Sequence, residues 1–380
     1  MKLSDLKAAI VFLGPATYDS RIKNLIFFFR ANTIPIRALC FDWLSTKNIS
    51  DSDIFKNVSN IRLNRKNSLA FYFKYYFWLF KFLTTEKYNI VFVEEVYSLA
   101  PSILIGKFKK AKIIYNSREL YPFLGGLTGK KIKQAFWSFI EKFFIKFCDA
   151  VSTTGPLDTE FIKEYYRLKI PTVTLRNLPL YQDCLNIEKF NFIKYFNLPE
   201  GSTILLYVGI LAKGRGIEQA IKAVEQFQNL YFIIIGDGDF KDEFKKIAES
   251  SKTKDRIIFF GRVSNQELLK YISGGDIGLC YIENISKSYY YALPNKLFEY
   301  IMAGTPVIGS SLPQIKDIIE KYKVGEVVDC NKPEELYEAL KKLIEKKDLR
   351  KEYSQACLQA AKTLNWETES ESLKTLLKNL

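Results

Sequence analysis

Short apolar runs recur along almost the whole chain, and most are followed by a stretch with helical spacing. In the first half the runs fall at 8–13, 36–41, 60–63, 90–93, 112–115, 150–153 and 172–175. In the second they fall at 203–208, 231–235, 256–260, 277–280, 306–308 and 326–328. Several are apolar at consecutive positions, as in AAIVFL and TILLYV, so both faces of such strands must be covered. Parallel neighbours need long crossovers, and helical spacing at 19–31, 216–226, 240–250, 265–272, 294–303, 315–321 and 333–346 supplies them. The alternation lapses once, in the polar and aromatic segment 181–200, and then restarts. Two consecutive βα series predict an α/β chain with two doubly wound sheets, the first over 1–180 and the second over 201–362, joined by a linker at 181–200. A length of 380 residues is enough for two cores.

Composition removes several chemistries. The chain has no histidine, which excludes Ser-His and Cys-His nucleophiles and most zinc catalysis. Its six cysteines, at 40, 148, 184, 280, 330 and 357, form no C-x-x-C pair, and a reducing cytosol suits them. No apolar run is long enough to span a bilayer. Charge is uneven: the first 180 residues carry 28 Lys and Arg against 14 Asp and Glu, whereas the remaining 200 carry 28 of each. A basic first half expects an anionic partner. Segments 69–83 (LAFYFKYYFWLFKFL) and 132–147 (IKQAFWSFIEKFFIKF) mix aromatics with lysines. They read either as interfacial helices on an anionic membrane or as core-facing helices. No nucleic-acid-binding module is visible, and no nucleic-acid partner is expected.

Ligands of doubly wound sheets bind beyond the carboxyl ends of the strands, which directs attention to the loops. Residues 289–308, YYYALPNKLFEYIMAGTPVI, are the most informative. Pro294 suits the first helical turn, Gly304 ends the helix, and Leu297, Phe298, Ile301 and Met302 form one apolar face. Lys296 lies near the helix start, where phosphate is favoured, and Glu299 lies a turn deeper, where a carboxylate can hold a vicinal diol. Alone, the same block also reads as an amphipathic helix with a surface ion pair. After TILLYV come Gly209, Gly214 and Gly216, which let the backbone approach a ligand, with Lys213 and Arg215 beside them. The GDGD stretch at 236–239 reads as turn geometry and capping rather than a metal site. Gly261-Arg262-Val263-Ser264 follows RIIFF, with Ser264 and Glu267 as a capping box.

In this order, YVGILAKGRGIEQAI, FIIIGDGD, RIIFFGRV, GGDIGLCY and PNKLFEYIMAGTPVI resemble the carboxy-terminal domain of GT-B glycosyltransferases, above all the retaining family 4 of nucleotide-sugar transferases. The match is good over 203–345 and weaker in the first half, through LGPATYDSRIKN, IIYNSRELYP and VTLRNLP. The resemblance implies a GT-B fold of two doubly wound Rossmann-like domains facing across a cleft, with residues 363–380 crossing back onto the first. It implies that Arg215 and Lys296 neutralise the donor diphosphate and that Glu299 grips the ribose. Arg262 and Val263 would flank the base, and Asn295 would face the phosphates or donor sugar. Gly14, Gly209, Gly214, Gly216, Tyr291, Pro294 and Leu297 complete the implied donor site. Asp19, Arg118 and Glu119 would face the acceptor or donor sugar. Three positions depart from the family pattern: Tyr291 stands where the first of two paired glutamates belongs, Ile210 where an arginine often follows the glycine, and Arg118 where many relatives have histidine. Arg118 then either replaces a hydrogen-bond donor or meets an anionic sugar or phosphate. The implied activity is retaining transfer from a nucleoside diphosphate sugar (uridine first, guanosine second) to a glycan or lipid-linked acceptor. No metal, no cofactor and no protein nucleophile are expected. The implied setting is cytoplasmic, peripheral on the inner face of the cell membrane. The alternative is a non-catalytic nucleotide-sugar-binding partner protein.

Overall fold

A computed structural model describes residues 5–16, 19–42, 55–64, 68–124, 129–183 and 187–380. The chain divides into two compact units, residues 1–177 with 366–380, and residues 178–365.

The first unit contains β1 (Ala8–Phe12), α1 (Ser20–Ala31), β2 (Ile36–Asp42), β3 (Val58–Arg62), α2 (Ser68–Thr85), β4 (Ile90–Glu94) and α3 (Leu99–Phe108). These are followed by β5 (Lys112–Ser117), α4 (Lys131–Phe144), β6 (Ala150–Thr153), α5 (Pro156–Tyr165) and β7 (Thr172–Thr174). All seven strands are parallel, in the order β3-β2-β1-β4-β5-β6-β7. β1 lies at the middle, with Ala8–Phe12 paired to Ile36–Cys40 on one side and Ile90–Glu94 on the other. All five of its residues are buried, as its unbroken apolar run requires. The order reverses between β1 and β4, so a crevice at the carboxyl ends of these two strands is the expected ligand position. The steps β3→β4, β4→β5 and β5→β6 all run the same way across the sheet. Right-handed crossovers therefore place α2, α3 and α4 in one layer on one face.

The second unit contains α6 (Phe192–Phe196), β8 (Thr203–Val208), α7 (Ile217–Val224), β9 (Leu230–Ile235), α8 (Lys241–Ser250), β10 (Ile257–Gly261), α9 (Leu268–Ile272) and β11 (Ile277–Cys280). It continues through α10 (Lys287–Tyr290), α11 (Asn295–Ala303), β12 (Val307–Ser310), α12 (Pro313–Tyr322), β13 (Gly325–Val328), α13 (Pro333–Glu345) and α14 (Lys347–Ala361). Its six parallel strands run β10-β9-β8-β11-β12-β13, with the reversal between β8 and β11. Alternate residues of β8 feed opposite cores: Leu206 and Val208 join Leu297, Phe298 and Ile301, while Leu205 and Tyr207 join Ile217, Ile221 and Phe232.

Three expectations need correction. Residues 187–200 are no free linker, because Phe190 and Phe192 pack edge-on against Phe260, with centroids 5.9 Å away, and Phe192 is buried in the core. Pro294 caps α11 in extended conformation rather than lying inside it. α10 and α14 were not anticipated. α10 is a single turn, started by Ser286 accepting from the Tyr289 N–H at 3.2 Å. α14 buries only Cys357, Ala360 and Ala361, too few positions for a clear apolar period. The last helix, α15 (Trp366–Asn379), belongs to the first unit. Its Glu369 accepts from Arg176 Nε at 3.0 and 3.1 Å, Nη2 at 2.6 Å and the backbone N–H at 2.8 Å.

Candidate functional site

In the second unit the loop after β8 and the start of α11 meet at the reversal of strand order. Gly209 sits at φ 128°, which an L side chain rarely adopts, and a Cβ there would come within 3.6 Å of Lys296 Cε. Gly216, at φ 76°, lies so close to Tyr281 that a Cβ would approach within 2.5 Å of that side chain. Gly214 is pressed against Ile285 and Tyr289 in the same way. These contacts hold the loop 209–216 against the segment that leads into α11.

Lys296 is 6 % exposed, and its Nζ makes no hydrogen bond. It makes no ion pair with Glu299 among the described residues. Instead it lies 3.4 Å from the centroid of the Tyr207 ring, whose face attracts a cation. Burial pulls its ammonium down to about 7, with Cys280 and Glu299 opposing the shift and Arg215 adding to it. Arg215 stacks over Tyr289 at 4.6 Å, and its Nε is buried without a hydrogen-bond acceptor. α11 begins without a side-chain cap. Its Leu297 N–H turns back to Pro294 O at 3.1 Å, and the N–H groups of Asn295 and Lys296 find no acceptor among the described residues. A buried lysine, a half-buried arginine and an uncapped helix start form a site that favours a multiply charged anion.

Glu299 is half-buried one turn into α11. Burial raises its carboxyl to about 7, with the Lys296 charge opposing. Its carboxylate accepts no hydrogen bond from the described residues, so both oxygens are free for a ligand's hydroxyls. Lys296 and Glu299 thus titrate in one pH range from opposite directions, each shifted mainly by the loss of water.

Other expected donor residues divide. Asn295 is exposed beside the helix start. Leu297 is entirely buried in the core, so its side chain packs α11 and does not face a ligand. Tyr291 ends α10, and its carbonyl accepts from Gln314 Nε2 at 2.5 Å. Arg262 Nε pairs with Asp237 at 3.3 Å, and Val263 packs on the core. Asp237 also accepts from the Gly238 N–H at 3.0 Å and pairs with Lys241 at 3.5 Å, so it is engaged in its own turn. Among the described residues no group of three or more Cys, Asp or Glu side chains could hold a metal ion. Tyr207 and Tyr289, the aromatic supports of the two cations, are the residues the sequence analysis missed. Tyr289 stood in the YYY run with no assigned role, and nothing local marks Tyr207, which lies 89 positions before the lysine it supports.

The first unit has its own polar cluster at the reversal between β1 and β4. Asp19 caps α1, its Oδ1 accepting from Ile22 N–H at 2.9 Å, and pairs with Arg118. Arg118 Nε also donates to buried Glu94 at 2.6 Å, and its guanidinium lies 4.2 Å from the Phe12 ring centroid. Asn116 Nδ2 donates to both Glu94 oxygens, at 3.1 and 2.9 Å. Arg118 is therefore held by two carboxylates of its own unit. Gly14 is also explained internally, since a Cβ there would strike the Phe12 ring at 2.2 Å. Glu119 is exposed beside the cluster. Glu95, which no motif singled out, follows β4 at φ 68°, ψ 162°, a conformation essentially reserved for glycine. Burial raises its carboxyl to about 8, with Arg118 opposing and Glu119, Asp19 and Glu94 adding to the shift.

Residues 188–359 match the family model of glycosyl transferases group 1. The matched segment falls within the second unit. Lys296, Glu299, Arg215 and both supporting tyrosines lie inside the matched segment. An uncharacterized glycosyltransferase of Methanocaldococcus jannaschii is 25% identical over 285 residues, which cover 72% of this chain and 70% of the relative. The Campylobacter jejuni GalNAc-alpha-(1->4)-GalNAc-alpha-(1->3)-diNAcBac-PP-undecaprenol alpha-1,4-N-acetyl-D-galactosaminyltransferase is 26% identical over 294 residues, 75% of this chain and 73% of its own. Among solved structures, sucrose-phosphate synthase from Thermosynechococcus elongatus superposes with a TM-score of 0.79 at 16% identity over 98% of both chains. An Anabaena protein crystallised with UDP and glucose gives 0.74 at 13% identity, covering 99% of this chain and all of its own. These likenesses show the GT-B fold, and the segment similar to group 1 glycosyl transferases holds both cations.

Proposed function

We propose that this glycosyltransferase moves a sugar, with retention, from a nucleoside diphosphate donor to a glycan or lipid-linked acceptor in surface-glycan synthesis, without a metal. The observation that carries the reading is a pair of buried cationic nitrogens without hydrogen-bond acceptors, Lys296 Nζ and Arg215 Nε, beside an uncapped helix start. Breaking the anomeric bond places negative charge on the departing diphosphate. Fixed positive groups in a dry site stabilise that charge more in the transition state than in the ground state. Lys296, Arg215 and the first amides of α11 fill this role, and Glu299 accepts the two ribose hydroxyls. The departing phosphate then takes the proton of the acceptor hydroxyl on the same face, so no protein nucleophile is required. UDP is the first-choice nucleotide, in line with the Anabaena neighbour that holds UDP, and GDP the second. The Campylobacter relative, named for an undecaprenol diphosphate-linked acceptor, supports the acceptor class.

The test is a panel of UDP- and GDP-sugars scored for turnover with and without lipid-linked glycan acceptors in the presence of chelator, with the product's anomeric configuration read by NMR. Donor-dependent transfer that survives chelation and gives retained configuration is expected. Loss of transfer in chelator, or an inverted product, refutes the mechanism. Donor binding without turnover on any acceptor favours a non-catalytic binding protein.

A further inference from the structure

α4 is folded with its apolar side outward. At about 100° per residue, Ile132, Phe136, Phe139 and Phe143 fall within about 60° of one another around the helix. They are 87%, 54%, 64% and 50% exposed. Glu141 lies almost diametrically opposite and is the one buried residue of this helix. Its carboxyl is held inward by Tyr115 and Tyr166 hydroxyls, each at 2.6 Å, and burial raises its pKa. On the same inner side Trp137 packs on Tyr97, with centroids 4.8 Å apart. An amphipathic helix of a soluble domain normally turns its apolar stripe to the core. Here polar contacts anchor the inner side, and the phenylalanines face out.

The surface extends beyond one helix. α3 touches both α2 and α4 in the same layer. α2 buries Phe71, Tyr75, Leu79 and Phe82 yet exposes Phe73, Phe77 and Phe80 on its other side, and Phe108 at the end of α3 is also exposed. Exposed lysines flank these rings: Lys74 and Lys81 on α2, Lys131, Lys133 and Lys142 on α4, and Lys146 just after it. The three helices contain one acidic residue, the buried Glu141. Among the described residues no helix is long and apolar enough to cross a membrane.

We infer that the outer layer formed by α2, α3 and α4 docks on an anionic lipid surface, with the α4 phenylalanines entering the headgroup–acyl boundary and the lysines meeting lipid phosphates. Bulky aromatics with interleaved lysines and no exposed carboxylate suit that boundary. Water would leave the aromatic stripe uncovered, and an uncharged surface would leave the lysines unpaired.

The test is flotation of the full chain with vesicles of phosphatidylcholine and phosphatidylglycerol in equal parts, against phosphatidylcholine alone. The wild type should float with the anionic vesicles and release as salt rises. Phe136→Ser with Phe139→Ser and Phe143→Ser should lower the bound fraction about tenfold or more, since the inserted apolar area is lost. Lys131→Gln with Lys133→Gln, Lys142→Gln and Lys146→Gln changes no apolar group and should lower it about tenfold by charge alone. Thermal melts confirm that both variants fold, as expected for substitutions at exposed positions. Absence of vesicle binding by the wild type overturns the inference, as does unchanged binding by both folded variants. Sedimentation that shows self-association dissolved by the phenylalanine variant, with no vesicle binding, would instead assign the face to a second copy of the chain. The readout needs no donor or acceptor, so it stands apart from the catalytic reading.

Discussion

Lys296→Met tests the site most directly, because it removes the buried charge and keeps the packing stem. In the folded protein this ammonium titrates at about 7, whereas in the unfolded chain it titrates near 10.4. Between these values the unfolded chain keeps the proton and the folded protein loses it. The unfolded state thus binds more protons, and this group makes stability rise with pH, by up to about 1.4 kcal/mol per unit. Allowing for half-titration at pH 7, the lysine contributes about 2 kcal/mol of added stability between pH 7 and 9. The methionine variant has no such gain. Its stability advantage over the wild type, measured by urea melts at both pH values, should therefore shrink by about 2 kcal/mol from pH 7 to pH 9. Glu299, whose carboxyl the Lys296 charge holds down, would shift in the variant, so the comparison is made in a Glu299→Gln background, where the difference reports Lys296. The same variant should bind UDP about tenfold to a hundredfold more weakly at pH 7, because a charge-assisted hydrogen bond to phosphate is worth about 1.5–3 kcal/mol. Titration calorimetry in buffers of different ionisation enthalpy should show proton uptake when the wild type binds UDP and less uptake in the variant. A stability difference independent of pH shows that Lys296 is not a buried titrating cation. Equal UDP affinity in the two proteins shows that phosphate does not meet it.

Glu299→Gln should weaken UDP about tenfold through the lost carboxylate–hydroxyl bonds, yet leave a dideoxyribose analogue of UDP unaffected; equal losses for both ligands rule out ribose recognition. Because burial raises Glu299 to about 7, its contribution to donor binding belongs to the ionised form, and the wild-type preference for UDP over that analogue should fade as pH falls below 7. Glu95→Gly relieves a side chain held at φ 68°, and should slow amide exchange in β4 and β5 by a factor corresponding to about 1 kcal/mol; faster exchange contradicts the strain assigned there. Arg176→Met leaves the Glu369 carboxylate without its partner, and α15 amides should exchange about thirtyfold faster, for a loss of about 2 kcal/mol; unchanged exchange means the pair does not hold the helix.

Local pattern went far in this chain. Unbroken apolar runs such as Ala8–Phe12 and Thr203–Val208 announce strands covered on both faces, and the helical stretches between them announce parallel order. Pro294 and Gly304 mark both ends of α11, since a fixed φ and a freely positive φ are properties of single residues. The roles of Lys296 and Glu299 were suggested by their places in that helix. Arg118 went differently: its number of donors could be read from the sequence, but its commitment to Asp19 and Glu94 depends on β1, β4 and β5 lying side by side, with their carboxyl ends together.

By itself, then, the sequence determined the two βα series, the ends of the key helix and the basic character of the first half. These follow from periodicity, backbone chemistry and summed charge, which are local or additive. Only the tertiary structure decided which aromatic ring lies under each cation, that Lys296 and Glu299 do not pair, and that the α4 phenylalanines face outward. An amphipathic stripe looks the same in sequence whether it turns toward a core or toward a membrane. The direction was set by Glu141, whose hydroxyl partners come from β5 and from the end of α5. Such a contact between distant segments exists only once the chain has folded.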